Sequence, residues 1–332
     1  MTEVTVAAVE WLQTTFGEAG RPLFDIFSTW GGPVGWELVV PLAFWLGGSR
    51  LGLRVGFATL VAAAGNLVLK WSFAQPRPYY LGDGVEALKS SDGFGMPSGH
   101  AQGAAAQWGA LAYHLRRSWW WLSAGIIIAL TGTARVYYGL HSPAQVVVGW
   151  GLGLLVVVAV VKAEKPVVRW CRGRSATIQT SAAVVSAAVA LSLALAVSLG
   201  LRGDFSPPPE WSARWQATVE RLGEETRDLD EGFQLVEPAE AVTLSAYLLG
   251  MALCGLWVLR NGEVRPESSL QRLANVAIGL PLLAGLLAVG ALPESFVGEI
   301  AATVSVRLVL PTLAGIVVPK VTSRLLVRSG RF

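Results

Sequence analysis

The chain has 332 residues, 53% of them hydrophobic and 15% charged, with 14 Trp and a net charge of +3. A soluble domain carries roughly 25% charged residues, and several uncharged runs here approach the ~20 residues that cross a bilayer. An ordinary soluble globular domain is excluded, and no nucleic-acid partner is expected, because the basic residues lie between apolar runs rather than in one patch. The class that fits is an all-α polytopic helical membrane protein.

Residues 1–32 are of mixed character. The opening MTEVTVAAVEW has an acidic leader and reads as lacking a cleavable signal peptide. VAAVEWLQTTF reads as an amphipathic helix on the membrane surface, making 1–32 an extracytoplasmic or interfacial segment. Nine apolar segments follow, over 34–48, 53–70, 100–115, 119–136, 142–161, 179–200, 241–259, 273–292 and 299–318. The expected organisation is a five-span core over 33–162, a basic loop over 163–178 and a four-span region over 179–332. Cys171 falls in the basic loop and Cys254 in an apolar run, so no disulfide between them is expected.

Lys and Arg set the orientation. Connections on one side hold 16 of the 26 basic residues and those on the other hold nine, with Arg307 inside a span. The richer side is expected to be cytoplasmic, and the run Trp119-Trp120-Trp121 after Arg116-Arg117 reads as an aromatic belt there. The stretch DGFGMPSGH then lies outside, as does the acidic loop 201–240, which has four Arg against ten Asp or Glu. In that loop, an extracytoplasmic helix is expected after the three prolines. Arg307, in the apolar stretch VSVRLVLP, is costly there; it is expected to pair with Glu37 or Glu299, or to line a cavity. Asn66 reads as a helix–helix hydrogen-bonding residue.

Three polar clusters fall at the outer span ends. KWSFAQPRP gives Lys70 and Arg77, PSGHAQ gives Ser98 and His100, and TARVYYGLHSPAQ gives Arg135 and His141. This combination suits a phosphoryl group. Arg and Lys hold it by charge-assisted hydrogen bonds, Arg in bidentate fashion. A helix start after Pro97 offers backbone N–H groups and the positive end of the helix dipole. Gly99 lets backbone approach a ligand, and two histidines are able to divide nucleophile and acid roles. Taken singly, Lys70 reads as a snorkelling anchor and Arg135 or His141 as a helix cap; the three spacings on one face favour a site. His114, beside Arg116, reads as interfacial.

K-x6-RP at 70–78, PSGH at 97–100 and R-x5-H at 135–141 together resemble the type-2 phosphatidic acid phosphatase (PAP2) superfamily, over about residues 34–161. The resemblance implies that His141 attacks phosphorus to give a phosphohistidine. It implies that His100 protonates the leaving alcohol and later activates water, and that Lys70, Arg77, Ser98, Gly99 and Arg135 bind the phosphoryl oxygens. No metal or other cofactor is implied. The chain departs from the usual SR-x5-H-x3-D at two places. Ala134 stands for the serine, a loss of one hydroxyl. Gln145 stands for the aspartate that accepts the histidine Nδ1–H, and is expected to orient His141 through its amide oxygen; a carboxylate from Asp92 or the acidic loop is the alternative.

These readings make the chain a membrane lipid phosphatase acting at the outer face of a bacterial inner membrane. Its expected substrate is a phospholipid or isoprenoid phosphate: phosphatidate, phosphatidylglycerol phosphate, or a polyprenyl phosphate or diphosphate. A phosphotransferase using the same phosphohistidine and a catalytically inactive lipid-binding or transport protein are the other readings.

Overall fold

The apolar runs fold as helices, and among the described residues there is no strand. The computed structural model describes residues 3–82, 84–200, 205, 207–223, 238–290, 306–307 and 309–328. Before the PSGH turn come α1 (Glu3–Phe16), α2 (Arg21–Gly31), α3 (Pro33–Gly47) and α4 (Ser49–Phe73). After it come α5 (Gly99–Leu115), α6 (Ser118–Tyr137), α7 (Pro143–Arg172), α8 (Ala176–Gly200) and α9 (Pro209–Leu222). The remaining helices are α10 (Pro238–Asn261), α11 (Ser269–Gly290) and α12 (Val318–Arg328), the last preceded by a π-helical turn over Leu313–Val317.

Among the described residues six helices are long and apolar enough to cross a membrane, and α3 supplies a shorter apolar helix. Two further segments read as spans are less apolar or shorter. Helix α5 has 17 residues and carries His100, Gln102, Gln107 and His114, whereas α6 opens on three tryptophans. Part of the last expected span, 299–305, lies outside the described residues; the helix that follows runs on to Arg328.

The chain divides into two compact units, the first drawn from 1–36, 62–156 and 193–238, the second from 37–61, 157–192 and 239–332. In the first, α2 packs on α5 and α6, and α1 on α6. Residues 1–32 are thus two helices rather than one surface helix. Their inner faces bury Val9, Leu12 and Phe24, and Phe24 meets the Phe16 and Tyr137 rings at 5.1 and 4.5 Å. The side chain of Gln13 donates to the carbonyls of Glu86 and Tyr137, both at 2.9 Å.

The seam between α5 and α7 is built on small residues. A side chain at Gly149 would fall 2.8 Å from the Ser98 carbonyl oxygen, and one at Gly153 would fall 2.4 Å from that of Gln102. Small residues four apart let helix backbones approach in this way, and here they bring the first turn of α7 against the PSGH turn. Helix α4 is tied to the same turn through Asn66. Its amide donates to Pro97 O (3.2 Å) and to Gln102 Oε1 (2.9 Å), and Gln102 donates in turn to Ala62 O at 3.0 Å.

Helix α9 forms where three prolines stop the preceding segment. It buries Trp211, Trp215 and Val219. Trp211 stacks on Tyr80 with centroids 5.8 Å apart, Phe205 meets Phe94 at 5.6 Å, and Arg221 donates to the Glu86 carboxylate at 2.8 Å and to Ala87 O. Three anchors therefore fall on the single loop between α4 and α5. The flanking parts of the acidic loop, 201–204, 206 and 224–237, lie outside the described residues.

In the second unit, α7 continues to Arg172, so the expected basic loop is helical over most of its length. Pro166 lies inside this helix, and two residues before it the Glu164 carboxylate accepts Arg54 Nη2 at 2.6 Å and Nε at 2.9 Å. Arg307 pairs with Glu37 and lies 5.9 Å from the Tyr247 ring; Glu299 falls outside the described residues. Asn275 donates to Trp45 O at 3.0 Å and accepts from Thr322, joining α11 to α3 and α12.

Burying a tryptophan of this kind is worth about 3 kcal/mol against alanine. Trp211→Ala is therefore expected to release α9 and speed cleavage within 207–223 under limited proteolysis at least tenfold, while the second unit keeps its protease resistance. Unchanged cleavage would show that Trp211 does not hold α9.

Candidate active site

The site is built at the ends of four helices. Helix α4 ends near Lys70, and Ala74 turns the chain away at a φ of 45°. The extended Arg77 then starts the 3-10 turn Pro78–Tyr80. On the other side, α6 ends at Tyr137 and the chain reverses at Gly139, with φ +71°. In that reversal the carbonyl of Arg135 accepts the backbone N–H groups of Leu140 and His141, each at 3.2 Å. The R-x5-H spacing thus places His141 on the backbone of Arg135.

His141 is 2% exposed and its ring is fixed at both nitrogens. Nδ1 lies 2.8 Å from Gly95 O, and Nε2 lies 3.1 Å from Arg77 Nη1. A carbonyl only accepts and a guanidinium only donates. The ring is therefore the neutral tautomer with its proton on Nδ1 and its Nε2 lone pair toward Arg77. Burial, reinforced by the positive charges of Arg77, Arg135 and Lys70, holds the imidazole well below its ordinary range, and the Gly95 carbonyl offsets this only in part.

The orienting acceptor is thus the Gly95 carbonyl and not the Gln145 amide. Gln145, 5% exposed, donates from Nε2 to Pro76 O at 2.9 Å and accepts the Ser142 N–H at 3.2 Å. Its own carbonyl accepts the Ser98 N–H at 3.1 Å. A side chain on Gly95 would meet Gln145 at 2.6 Å and Pro76 O at 2.7 Å. Gln145 therefore pins three loop backbones around the histidine. An amide suits this because it donates and accepts, whereas an ionised aspartate only accepts. The Asp92 contribution is its carbonyl, which accepts Arg77 Nε at 2.8 Å and Nη2 at 2.6 Å.

Arg77 is 3% exposed and spends most of its guanidinium on this frame, with a further contact of 3.4 Å from Nη1 to Leu140 O. Arg135, 6% exposed, donates from Nη1 to Ser28 Oγ at 3.2 Å. Two polar atoms are buried there without a hydrogen-bond partner, Ser98 Oγ and Arg135 Nε. Leaving such groups unpaired costs about 1–3 kcal/mol each, and both are able to donate to an anionic ligand. The Ser98 backbone N–H, by contrast, is taken by Gln145; the N–H groups at the start of α5 are those without intrahelical partners.

His100 and Gly99 open α5 and are half-buried, as is Lys70. The His100 ring lies against the end of α2: a side chain on Gly32 would fall 2.7 Å from His100 Nε2. Sequence reasoning missed Gly95, Ser28 and Gly32. The glycines of DGFG, directly before PSGH, were a visible signal for close backbone approach; Ser28 gave none.

The geometry so described lies almost wholly within one matched region. Residues 51–169 match the family model of the PAP2 superfamily. All eight expected site residues, from Lys70 to Gln145, fall inside the PAP2 segment, whereas Ser28, Gly32 and α9 fall outside it. The chain is 28% identical over 190 residues to a glucose-6-phosphatase catalytic subunit 1 from Haplochromis nubilus, covering 46% of this chain and 51% of the relative. It is 35% identical over 99 residues to phosphatidylglycerophosphatase B from Bacillus subtilis, 27% of this chain and 46% of the relative. It is 32% identical over 107 residues to an undecaprenyl-diphosphatase from Sulfolobus acidocaldarius, 31% of this chain and 50% of the relative. The chain spans about half the length of these relatives. No solved structure matches it.

Two expectations follow. Lysine presents a point charge and cannot hold three acceptors in a plane, so Arg77→Lys is expected to lower kcat at least a hundredfold in a phosphate-release assay; near-wild-type turnover would show that charge alone suffices. The depressed His141 also makes folding pH-dependent. The unfolded imidazole titrates near 6.5 and the folded one lower, so the unfolded state binds the extra proton and stability falls as pH drops below about 6.5. The thermal midpoint of wild type should therefore fall more than that of His141→Gln between about pH 7.5 and 5. Parallel curves would contradict the buried neutral ring.

Proposed function

We propose that the protein is a membrane lipid phosphatase of the PAP2 type, working through a phosphohistidine. The observation that carries this reading is the tautomer of His141: Nδ1–H is committed to Gly95 O, so Nε2 holds its lone pair at a wall of buried cations. In the proposed reaction Nε2 attacks phosphorus, a P–N bond forms, and the P–O bond to the leaving group breaks. His100 donates its proton to the departing oxygen. It then takes a proton from water, which attacks phosphorus and breaks the P–N bond, returning neutral His141 and releasing phosphate. Arg135, Lys70 and Ser98, with the N–H groups at the start of α5, hold the phosphoryl oxygens; Arg77 contributes fixed positive charge. Stabilising charge that develops in the transition state is usually the largest catalytic term, and these residues deliver it without a bound metal.

Support for a lipid substrate comes from two sources. The site residues sit at the ends of helices of which two, α4 and α7, are of membrane-crossing length. Two of the relatives are named for lipid phosphates, a phosphatidylglycerophosphatase and an undecaprenyl-diphosphatase. A glucose-6-phosphatase is also among them, which makes a soluble phosphate ester the informative control. We place the site on the outer face of the membrane, following the distribution of Lys and Arg.

The test is phosphate release by purified protein in detergent with EDTA present. Phosphatidate, phosphatidylglycerol phosphate, undecaprenyl diphosphate and glucose 6-phosphate would be compared. Release from at least one lipid, exceeding that from glucose 6-phosphate by tenfold or more in kcat/KM and lost in His141→Ala, is expected. Preference for glucose 6-phosphate would overturn the lipid assignment, and full activity of His141→Ala would overturn the mechanism.

A further inference from the structure

Helix α2 and the turn after it lie outside the matched segment, yet Ser28 and Gly32 meet the site residues Arg135 and His100. Asp25, Ser28 and Gly32 are spaced by three and four residues, which places them on one helical face. Asp25 accepts the Tyr138 hydroxyl at 2.7 Å and pairs with Lys89 at 2.6 Å. Ser28 Oγ accepts Arg135 Nη1 at 3.2 Å, and both residues are buried. Gly32, in the turn that follows, lies against the His100 ring. The helix is held at this depth by Gly31, where an added side chain would meet Thr131 at 2.2 Å, and by the bond from Thr131 Oγ1 to Phe27 O at 2.9 Å.

Arg135 is preceded by Ala134, and the Thr131 hydroxyl one turn earlier is engaged by Phe27 O, so the hydroxyl that meets the guanidinium comes from α2. Its guanidinium is a rigid plane, and fixing one terminal nitrogen fixes the direction of the others. With Nη1 engaged by Ser28, the Nε is a buried donor without a hydrogen-bond partner. We infer that Ser28 is a positioning residue that holds the Arg135 guanidinium from α2 and leaves its Nε–H for a phosphoryl oxygen. This rests on the phosphatase reading above. It makes the N-terminal helix part of the site, so that residues 51–169 without α2 would hold phosphate less tightly.

The contact acts on ground state and transition state alike, because the phosphoryl group is bound in both. Its loss should therefore raise KM and leave kcat little changed. The decisive pair is Ser28→Thr and Ser28→Val, which match in volume and differ by the hydroxyl. Ser28→Val is expected to raise KM and the inhibition constant for inorganic phosphate about tenfold, with kcat within about threefold of wild type. Ser28→Thr should restore both constants to within about twofold. Ser28→Ala gives the same comparison if the branched side chains do not fold. Equal phosphate inhibition in Thr and Val variants, or in Ala and wild type, would overturn the inference. So would loss confined to kcat, which would point to a packing role.

His141→Ala in the same assay separates this from the parent reading. Activity surviving in that variant would remove the phosphatase mechanism and this inference with it. An inactive His141→Ala beside an unaltered Ser28→Val would remove the role of Ser28 alone.

Discussion

The site depends on one hydrogen bond, from His141 Nδ1–H to the Gly95 carbonyl. It fixes which nitrogen carries the proton, and so whether the ring offers a lone pair or a second donor to whatever lies beyond Nε2. A carboxylate in that place would add negative charge and favour the imidazolium; a carbonyl fixes the same tautomer with only a dipole. In a pocket that already concentrates Lys70, Arg77 and Arg135, the weaker acceptor is compatible with keeping the ring neutral. Gln145 has a different task. It joins Pro76, Ser142 and, through its own carbonyl, Ser98, which keeps Gly95 where the bond requires it.

The helices serve this bond at longer range. Glycines 149 and 153 bring α7 to within backbone contact of α5, and Asn66 with Gln102 holds α4 to the same turn. Three helices are thus fixed relative to one another by backbone approach and buried amides rather than by large side chains. Such packing tolerates little change, because a glycine that touches backbone has no flexible neighbour to displace.

Much of this was legible in the sequence. The apolar runs placed most of the helices to within a few residues, α7 and the last helix excepted, because spans must satisfy their backbone internally. Arg77, PSGH and Arg135 with His141 pointed to the cluster, because their spacings put them at span ends on one side. Other features were not legible. Helix α7 runs past the expected loop, where Glu164 pairs with Arg54, distant in sequence. Gly95 acts through its carbonyl, which every residue possesses and no side chain announces. Ser28 is a serine in a strongly amphipathic helix, and only packing reveals its neighbour. Residue identity marks charge and shape, whereas a backbone acceptor or a remote hydroxyl is visible only once the chain has folded.

The bonding of Arg77 has a consequence for how the site comes into being. Its guanidinium joins the Asp92 carbonyl to the Leu140 carbonyl and His141, two stretches far apart along the chain. The loop over 91–95 and the turn at 139–141 are both held by this one side chain, so the pocket and the local fold share their supports. A chain that reaches this arrangement has its positive charge already aimed and already desolvated before any ligand arrives.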